Sequence, residues 1–221
     1  KDFSGNALSS KTKYEFNRLR VWDQRSKSRS TATLSKAFTL LNGMKTKLGI
    51  SDNVVEGAAY IYRKIVSAKL TRGRTMASLV SASLYAACRE NNLPRTLDDI
   101  ANAGNIERRI LSRDLRTIIK KLGLNLNQYD ISSFISKISN NMNLKEKTKR
   151  DAFDILKRCE PEGIIAGKHP VAQAAASLYI ACIINGEKIS QKKFSKESGV
   201  SDVTIRNRVA LIRKTLKIIE D

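Results

Sequence analysis

ASLYAAC occupies residues 82–88 and ASLYIAC occupies residues 176–182, so six of seven residues match at an offset of 94. The offset holds well beyond the heptamer. Gly73 falls on Gly167, Ala58 on Ala152, Ile61 on Ile155 and Lys64 on Arg158. Upstream, Leu41 and Met44 fall on Ile135 and Ile138; downstream, Leu111, Leu115, Ile118 and Leu122 fall on Ile205, Val209, Ile212 and Leu216. Apolar character thus survives over roughly ninety residues without a gap, further than chance matching of apolar residues sustains. The chain reads as a tandem duplication, with one copy at 31–124, a second at 125–221 and a different segment at 1–30.

Each copy is expected to be all-α, because apolar residues recur at helical spacing and no stretch alternates as a half-buried strand does. In the first copy the pattern predicts helices over 32–48, 52–69, 75–91, 96–103 and 107–122. In the second it predicts them over 129–141, 145–159, 170–185, 190–198 and 201–218. Ser51 with Asp52, and Thr96 with Asp99 three residues on, mark helix starts. Pro170 suits a first turn, and Gly49, Gly123 and Gly199 mark stops. The third helix of each copy contains the heptamer. From Val171 to Ile184 it carries no charged residue, and a helix that is apolar all round is buried on all sides. Its alanines let neighbouring helices approach closely. Leu84, Tyr85, Leu178 and Tyr179 fill the remaining gaps. The heptamer is therefore expected at the centre of a five-helix bundle, written twice because the bundle is.

The chain carries 41 Lys and Arg against 21 Asp and Glu, a net charge of +20. The excess is +5 over 1–30, +9 over 31–124 and +6 over 125–221, so both copies are basic and the charge is not confined to a tail. A polyanion partner fits this balance; a solvated basic surface is the alternative. No apolar run approaches the ~20 residues of a membrane span, and no partner membrane is expected. Three cysteines form neither a disulfide framework nor a CxxC pair. Cys88 and Cys182 share one repeat position and read as small core residues, which suits a reducing compartment. The single histidine, His169, precedes Pro170 without a partnering Cys or carboxylate motif. With no phosphate loop or nucleophile elbow either, the sequence indicates no enzyme and no metal site.

Residues 190–217 read as a short helix, a turn at Ser198-Gly199-Val200, and a longer helix capped by Ser201. That is the layout of a helix-turn-helix. Ile205, Val209, Ile212 and Leu216 belong to the core, whereas Val203, Arg206 and Asn207 face away within the first two turns. Arg can pair with a guanine edge and Val can pack on a thymine methyl, while Arg208, Arg213 and Lys214 suit phosphates. An ordinary exposed basic helix end fits the same residues. The counterpart turn in the first copy reads Ala103-Gly104-Asn105. It is followed by a different exposed set: Glu107, Arg108, Arg109, Arg113 and Arg116. The leader is expected to be largely extended or partly ordered. Its patch FNRLRVW at 16–22 fits either a disordered leader or a partner-docking linker.

These motifs together resemble the cyclin-box repeats of the general transcription initiation factor IIB family, called transcription factor B in archaea. GVSDVTIRNR (199–208) looks like the recognition-helix motif of that family's second repeat. ASLYAACR with PRT (82–89, 94–96) is similar to its first-repeat motif, and RLRVWD (18–23) resembles the linker before the first repeat. The resemblance implies a factor that binds the TATA-binding protein on promoter double-stranded DNA and recruits RNA polymerase. It also implies that the second-repeat helix reads an element upstream of the TATA box. By position, Val203 and Arg206 would contact bases there. Gly73 and Arg74 would meet the minor groove downstream, and Leu19, Arg20 and Trp22 would lie in the polymerase-docking linker. The family's N-terminal zinc ribbon has no counterpart here. The chain thus reads as a core fragment that begins at Lys1 without it, needs no cofactor of its own and acts as a monomer. An archaeal origin would place it in the cytoplasm or nucleoid, a eukaryotic one in the nucleus. A cyclin-like kinase regulator and a paralogous initiation factor for another polymerase are the alternatives.

Overall fold

A computed structural model describes residue 7 and residues 9–26, 29–126, 130–163 and 169–216. Gly167 and the expected helix residues 129, 217 and 218 lie outside the described residues. The described residues form helices and turns and contain no strand: α1 (Ser10–Ser26), α2 (Arg29–Leu48), α3 (Asp52–Ser67), α4 (Met76–Glu90), α5 (Leu97–Gly104), α6 (Arg108–Leu122), α7 (Ile131–Asn141), α8 (Glu146–Cys159), α9 (Pro170–Ile184), α10 (Gln191–Ser198) and α11 (Asp202–Leu216). The last three helices of each copy begin and end at the same places under the offset of 94.

Two separate hydrophobic cores form. One is built by α2 to α6 around α4, the other by α7 to α11 around α9. Every residue from Ser78 to Cys88 is buried, and from Val171 to Cys182 every residue but Tyr179 is buried. The small residues do most of this. Ala82, Ala86, Ala87, Ala174, Ala175, Ala176 and Ala181 are all fully enclosed, so neighbouring helices approach the central backbone closely. Leu84 and Leu178, at equivalent positions, are also 0% exposed, and burial of such a side chain contributes about 1.5–3 kcal/mol. The equivalences traced by the offset hold in space. Leu41 and Ile135, Met44 and Ile138, Ala58 and Ala152, Leu111 and Ile205, Leu115 and Val209, and Ile118 and Ile212 are all buried. Burial pushes the Cys88 thiol up to about 11 and the Cys182 thiol up to about 12, as expected of core residues with little thiolate character.

The helix boundaries follow local chemistry. Thr96 and Asp99 form a complete capping box at the start of α5, and Pro170 occupies the first turn of α9. Gly123 and Gly199 end α6 and α10 in the left-handed conformation. The first-copy turn differs from the reading given above. Asn105, not Gly104, adopts the left-handed conformation (φ 49°), and it is Asn105 that pairs with Gly199 under the offset. Gly104 is helical and buried, and a Cβ there would lie 2.4 Å from Ser81 Oγ. Its glycine answers to packing against α4 rather than to the turn. In the leader, expected to be largely extended or partly ordered, residues 10–26 are helical.

No helix of one repeat packs directly on a helix of the other among the described residues. Long side chains span the gap instead. Lys137 Nζ on α7 donates to Asp99 Oδ2 on α5 at 2.6 Å, while Asp99 also accepts from the backbone of Thr96. A cavity of about 420 Å³ lies alongside, lined by Asp98, Arg108, Phe134, His169, Val200 and Thr204 among others. Burial pushes the Asp99 carboxyl up, but Lys137 and the Thr96 backbone donor outweigh it and hold the group below its usual value. A carboxyl depressed in the folded state contributes stability above its unfolded pKa of about 4, and that stability is lost as pH falls through the folded value. In Lys137→Met the largest opposing influence is gone while burial persists. The Asp99 titration, followed by carboxyl NMR, should therefore move upward, and the stability that Asp99 contributes near neutral pH and loses on acidification should shrink, flattening the acid limb of the stability curve.

Candidate nucleic-acid interface

The chain from α10 to α11 holds its geometry through four local devices. Ser190 caps α10 by accepting from Lys193 N–H, and Gly199 turns the chain with φ 69°. Val200 is buried and ties the turn to the core. Ser201 Oγ accepts from Thr204 N–H at 3.3 Å and opens α11, where Asp202 complements the helix dipole. Ile205, Val209 and Ile212 then anchor one face of α11 against α9.

That anchoring decides what α11 shows to solvent. Val203 is 62% exposed, far more than a packed valine, and Arg206 and Asn207 are exposed within the next turn. Helical spacing sets Val203, Asn207 and Lys214 opposite the core face and Arg206 and Arg213 together on one flank. Arg208 stands on the other flank and is half-buried. The three expected base-reading residues are therefore brought together, and Arg213 and Lys214 continue their surface. Arg208 is not brought beside them. None of Arg206, Arg208, Arg213 and Lys214 forms an ion pair with a described residue.

The loop between α3 and α4 carries the other expected contact. Gly73 has φ 73° and nothing within 4 Å of where a Cβ would stand, so its backbone is open to close approach. Arg74 is different. Its guanidinium bonds the Leu70 carbonyl at 2.8 Å and lies 3.5 Å from Asp114 Oδ1, and its side chain is only 24% exposed. The structure folds Arg74 back into the bundle and leaves Arg72 as the exposed guanidinium of the loop. Asp114 itself is 1% exposed and accepts from Ser78 Oγ at 2.6 Å and from Arg113 Nε at 3.2 Å. The sequence reading passed over Asp114. The available signal was a carboxylate beside Leu111, Leu115 and Ile118 on an apolar helix face, where a charge needs partners. Under the offset this buried Asp corresponds to Arg208.

On α6, Arg109, Arg113 and Arg116 line a shallow cleft of about 520 Å³ with Glu107 and Ile110. On α1, Leu19 (64%) and Trp22 (61%) are exposed with Arg20, as are Tyr14 and Phe16. No other described helix packs on α1. His169 caps α9 through its backbone carbonyl, which accepts from Gln173 N–H. Burial, then the Arg108 charge, holds its imidazole below the usual value.

Comparison with known proteins adds a family. The profile of the transcription factor TFIIB repeat matches residues 30–121 and again residues 125–215. Transcription initiation factor IIB 2 of Thermoplasma acidophilum is 40% identical over 220 residues, spanning 99% of this chain and 72% of that protein. Transcription initiation factor IIB of Archaeoglobus fulgidus is 37% identical over 220 residues, spanning 99% and 68%. That of Sulfurisphaera tokodaii is 36% identical, spanning 99% and 71%.

The two arginines of the α3–α4 loop should separate cleanly on substitution. Arg74→Ala removes a partner of a buried carboxylate and should cost about 1–3 kcal/mol in thermal or denaturant unfolding. Arg72→Ala, on an exposed turn, should stay within about 0.5 kcal/mol of wild type.

Proposed function

We propose that this chain, which belongs to the transcription factor TFIIB repeat family and is a general transcription initiation factor rather than an enzyme, binds promoter duplex already carrying the TATA-binding protein. In this reading α11 enters the major groove upstream of the TATA box. Arg206 pairs with a guanine edge, Val203 packs on a thymine methyl, and Asn207 completes the base-reading set. Lys214 and Arg213 hold phosphates on one flank and Arg208 holds one on the other. The first repeat meets the minor groove downstream through the open backbone at Gly73. Arg72 supplies the guanidinium there, while Arg74 keeps the loop in shape from within. The observation that carries the reading is the Val203–Arg206–Asn207 surface: an exposed valine between uncommitted polar groups, on a helix whose opposite face is locked into the core.

The exposed Leu19, Arg20 and Trp22 of α1 are the candidate contact with RNA polymerase. No other described helix packs on α1, so these side chains are open to a groove on another protein. The factor then bridges DNA and polymerase and works at the chromosome, in the nucleoid of an archaeal cell. The cyclin-like alternative draws on the fold alone, and the unpaired cations of α11 favour a polyanion over a kinase surface. A paralogous factor would share all of this geometry and differ in the promoters it serves.

Binding to TATA-containing duplex in a gel shift should be weak for the chain alone and strong when the TATA-binding protein is present, because each repeat offers a small footprint. Full affinity without that partner would identify an ordinary helix-turn-helix binder instead. Arg206→Ala should cost about 1–3 kcal/mol on the preferred upstream sequence and relax the choice at one base. Lys214→Ala should weaken all sequences alike. Selection from a randomised upstream element decides this, and identical preferences in wild type and Arg206→Ala would end the base-reading role of α11.

A further inference from the structure

The repeated heptamer carries one tyrosine in each copy, and their surroundings differ. Tyr85 is 2% exposed and its hydroxyl is hydrogen-bonded with Arg89 one turn on. At the position equivalent to Arg89 the second repeat has Ile183, which cannot hydrogen-bond through its side chain. Tyr179 is the one residue between Val171 and Cys182 that escapes full burial. Its ring meets Phe194 edge-on with centroids 5.7 Å apart. It lines a cleft of about 400 Å³ between α9, α10 and α11, together with Gln191, Arg206, Ala210, Arg213 and Lys214.

The first repeat serves as an internal control for this cleft. The offset pairs Gln191 with Leu97 and Arg213 with Ile119, and both of those residues pack on the first core. The second repeat has therefore exchanged two apolar wall residues for polar ones. Arg206 and Arg213 stand where the first repeat has Ser112 and Ile119, Lys214 matches Lys120, and none of the three cations forms an ion pair with a described residue. Loss of apolar packing and repulsion between like charges both destabilise a bundle. An anion in the cleft offsets both.

We propose that the cleft is a phosphate subsite, in which Tyr179 O–H and the Gln191 amide donate to the oxygens of one DNA backbone phosphate while Arg213 and Lys214 supply the charge. This rests on the reading of α11 as a DNA-binding helix. Two neutral donors give direction to a phosphate that cations alone attract without orienting. The cleft lies on the same flank of α11 as Arg206. A strand fixed here adds affinity without reading bases, so Tyr179 and Gln191 act as sequence-independent phosphate contacts beside the base-reading turns.

The test uses the full chain with the TATA-binding protein on promoter duplex. Tyr179→Phe and Gln191→Leu should each weaken binding about tenfold, the effect of losing a hydrogen bond to a charged group. The loss should be equal on all upstream sequences, with selected base preferences and thermal stability retained. A scan of single methylphosphonate linkages should find one phosphate whose neutralisation weakens the wild type but makes no further difference to Tyr179→Phe. Wild-type affinity in Tyr179→Phe on every duplex overturns the subsite, and if Arg206→Ala still alters base choice the reading of α11 stands without it. If Arg206→Ala changes nothing either, it is that reading which fails. Release of duplex by inorganic phosphate from wild type, with Tyr179→Phe resistant and no sensitive linkage in the scan, would replace the duplex by a free anion and overturn the proposal as stated.

Discussion

Everything in this fold depends on a helix that can be touched from every side. α4 and α9 have almost no polar surface to turn outward, so each must be enclosed, and alanine sets how closely the enclosure can form. Four helices packed around such an axle leave little choice of arrangement. They also leave the last helix of each repeat with one face against the axle and the rest in solvent. The surface proposed to meet DNA is what remains of α11 after Ile205, Val209 and Ile212 have been committed inward.

The duplication shows which positions the bundle requires and which it leaves open. The apolar side chains traced by the offset agree in character between the two copies. Other positions diverge, even against the axle. Asp114 is buried in the first repeat and binds Ser78, Arg74 and Arg113, locking α6 to α4 and to the loop before it. Its equivalent in the second repeat is Arg208, half-exposed and unpaired among the described residues. A position that stabilises one copy has become, in the other, a cation facing outward. The tyrosines of the heptamer divide in the same sense, one bonded within its own helix and one opening onto a cleft.

Most of the architecture was legible in the residues because it is written in periodicity and in local caps, both of which act over a few residues. The last three helices of each copy fell within a residue of their expected bounds for that reason, apart from the end of α11, whose expected residues 217 and 218 lie outside the described residues. The failures were of another kind. Arg74 is expected at the minor groove by position alone, whereas its side chain bonds toward Asp114, forty residues away and buried on another helix. Gly104 looked like a turn glycine, but what requires it is the side chain of Ser81 on α4. Tyr179 and Tyr85 sit in nearly identical heptamers, and what makes them different is Ile183 in place of Arg89 one turn on, together with the helices around them. Local sequence does not report such long-range contacts, although a carboxylate set among leucines was a fair warning.

The bond between Lys137 and Asp99 crosses a boundary at which no two helices meet. Substitutions in α4 and in α9 should add rather than compound. For a duplicated gene this arrangement has an evolutionary meaning. One copy can change its surface while its twin keeps the shared packing. The cleft beside Tyr179, with Gln191 and Arg213 where the first repeat has Leu97 and Ile119, lies in the second repeat.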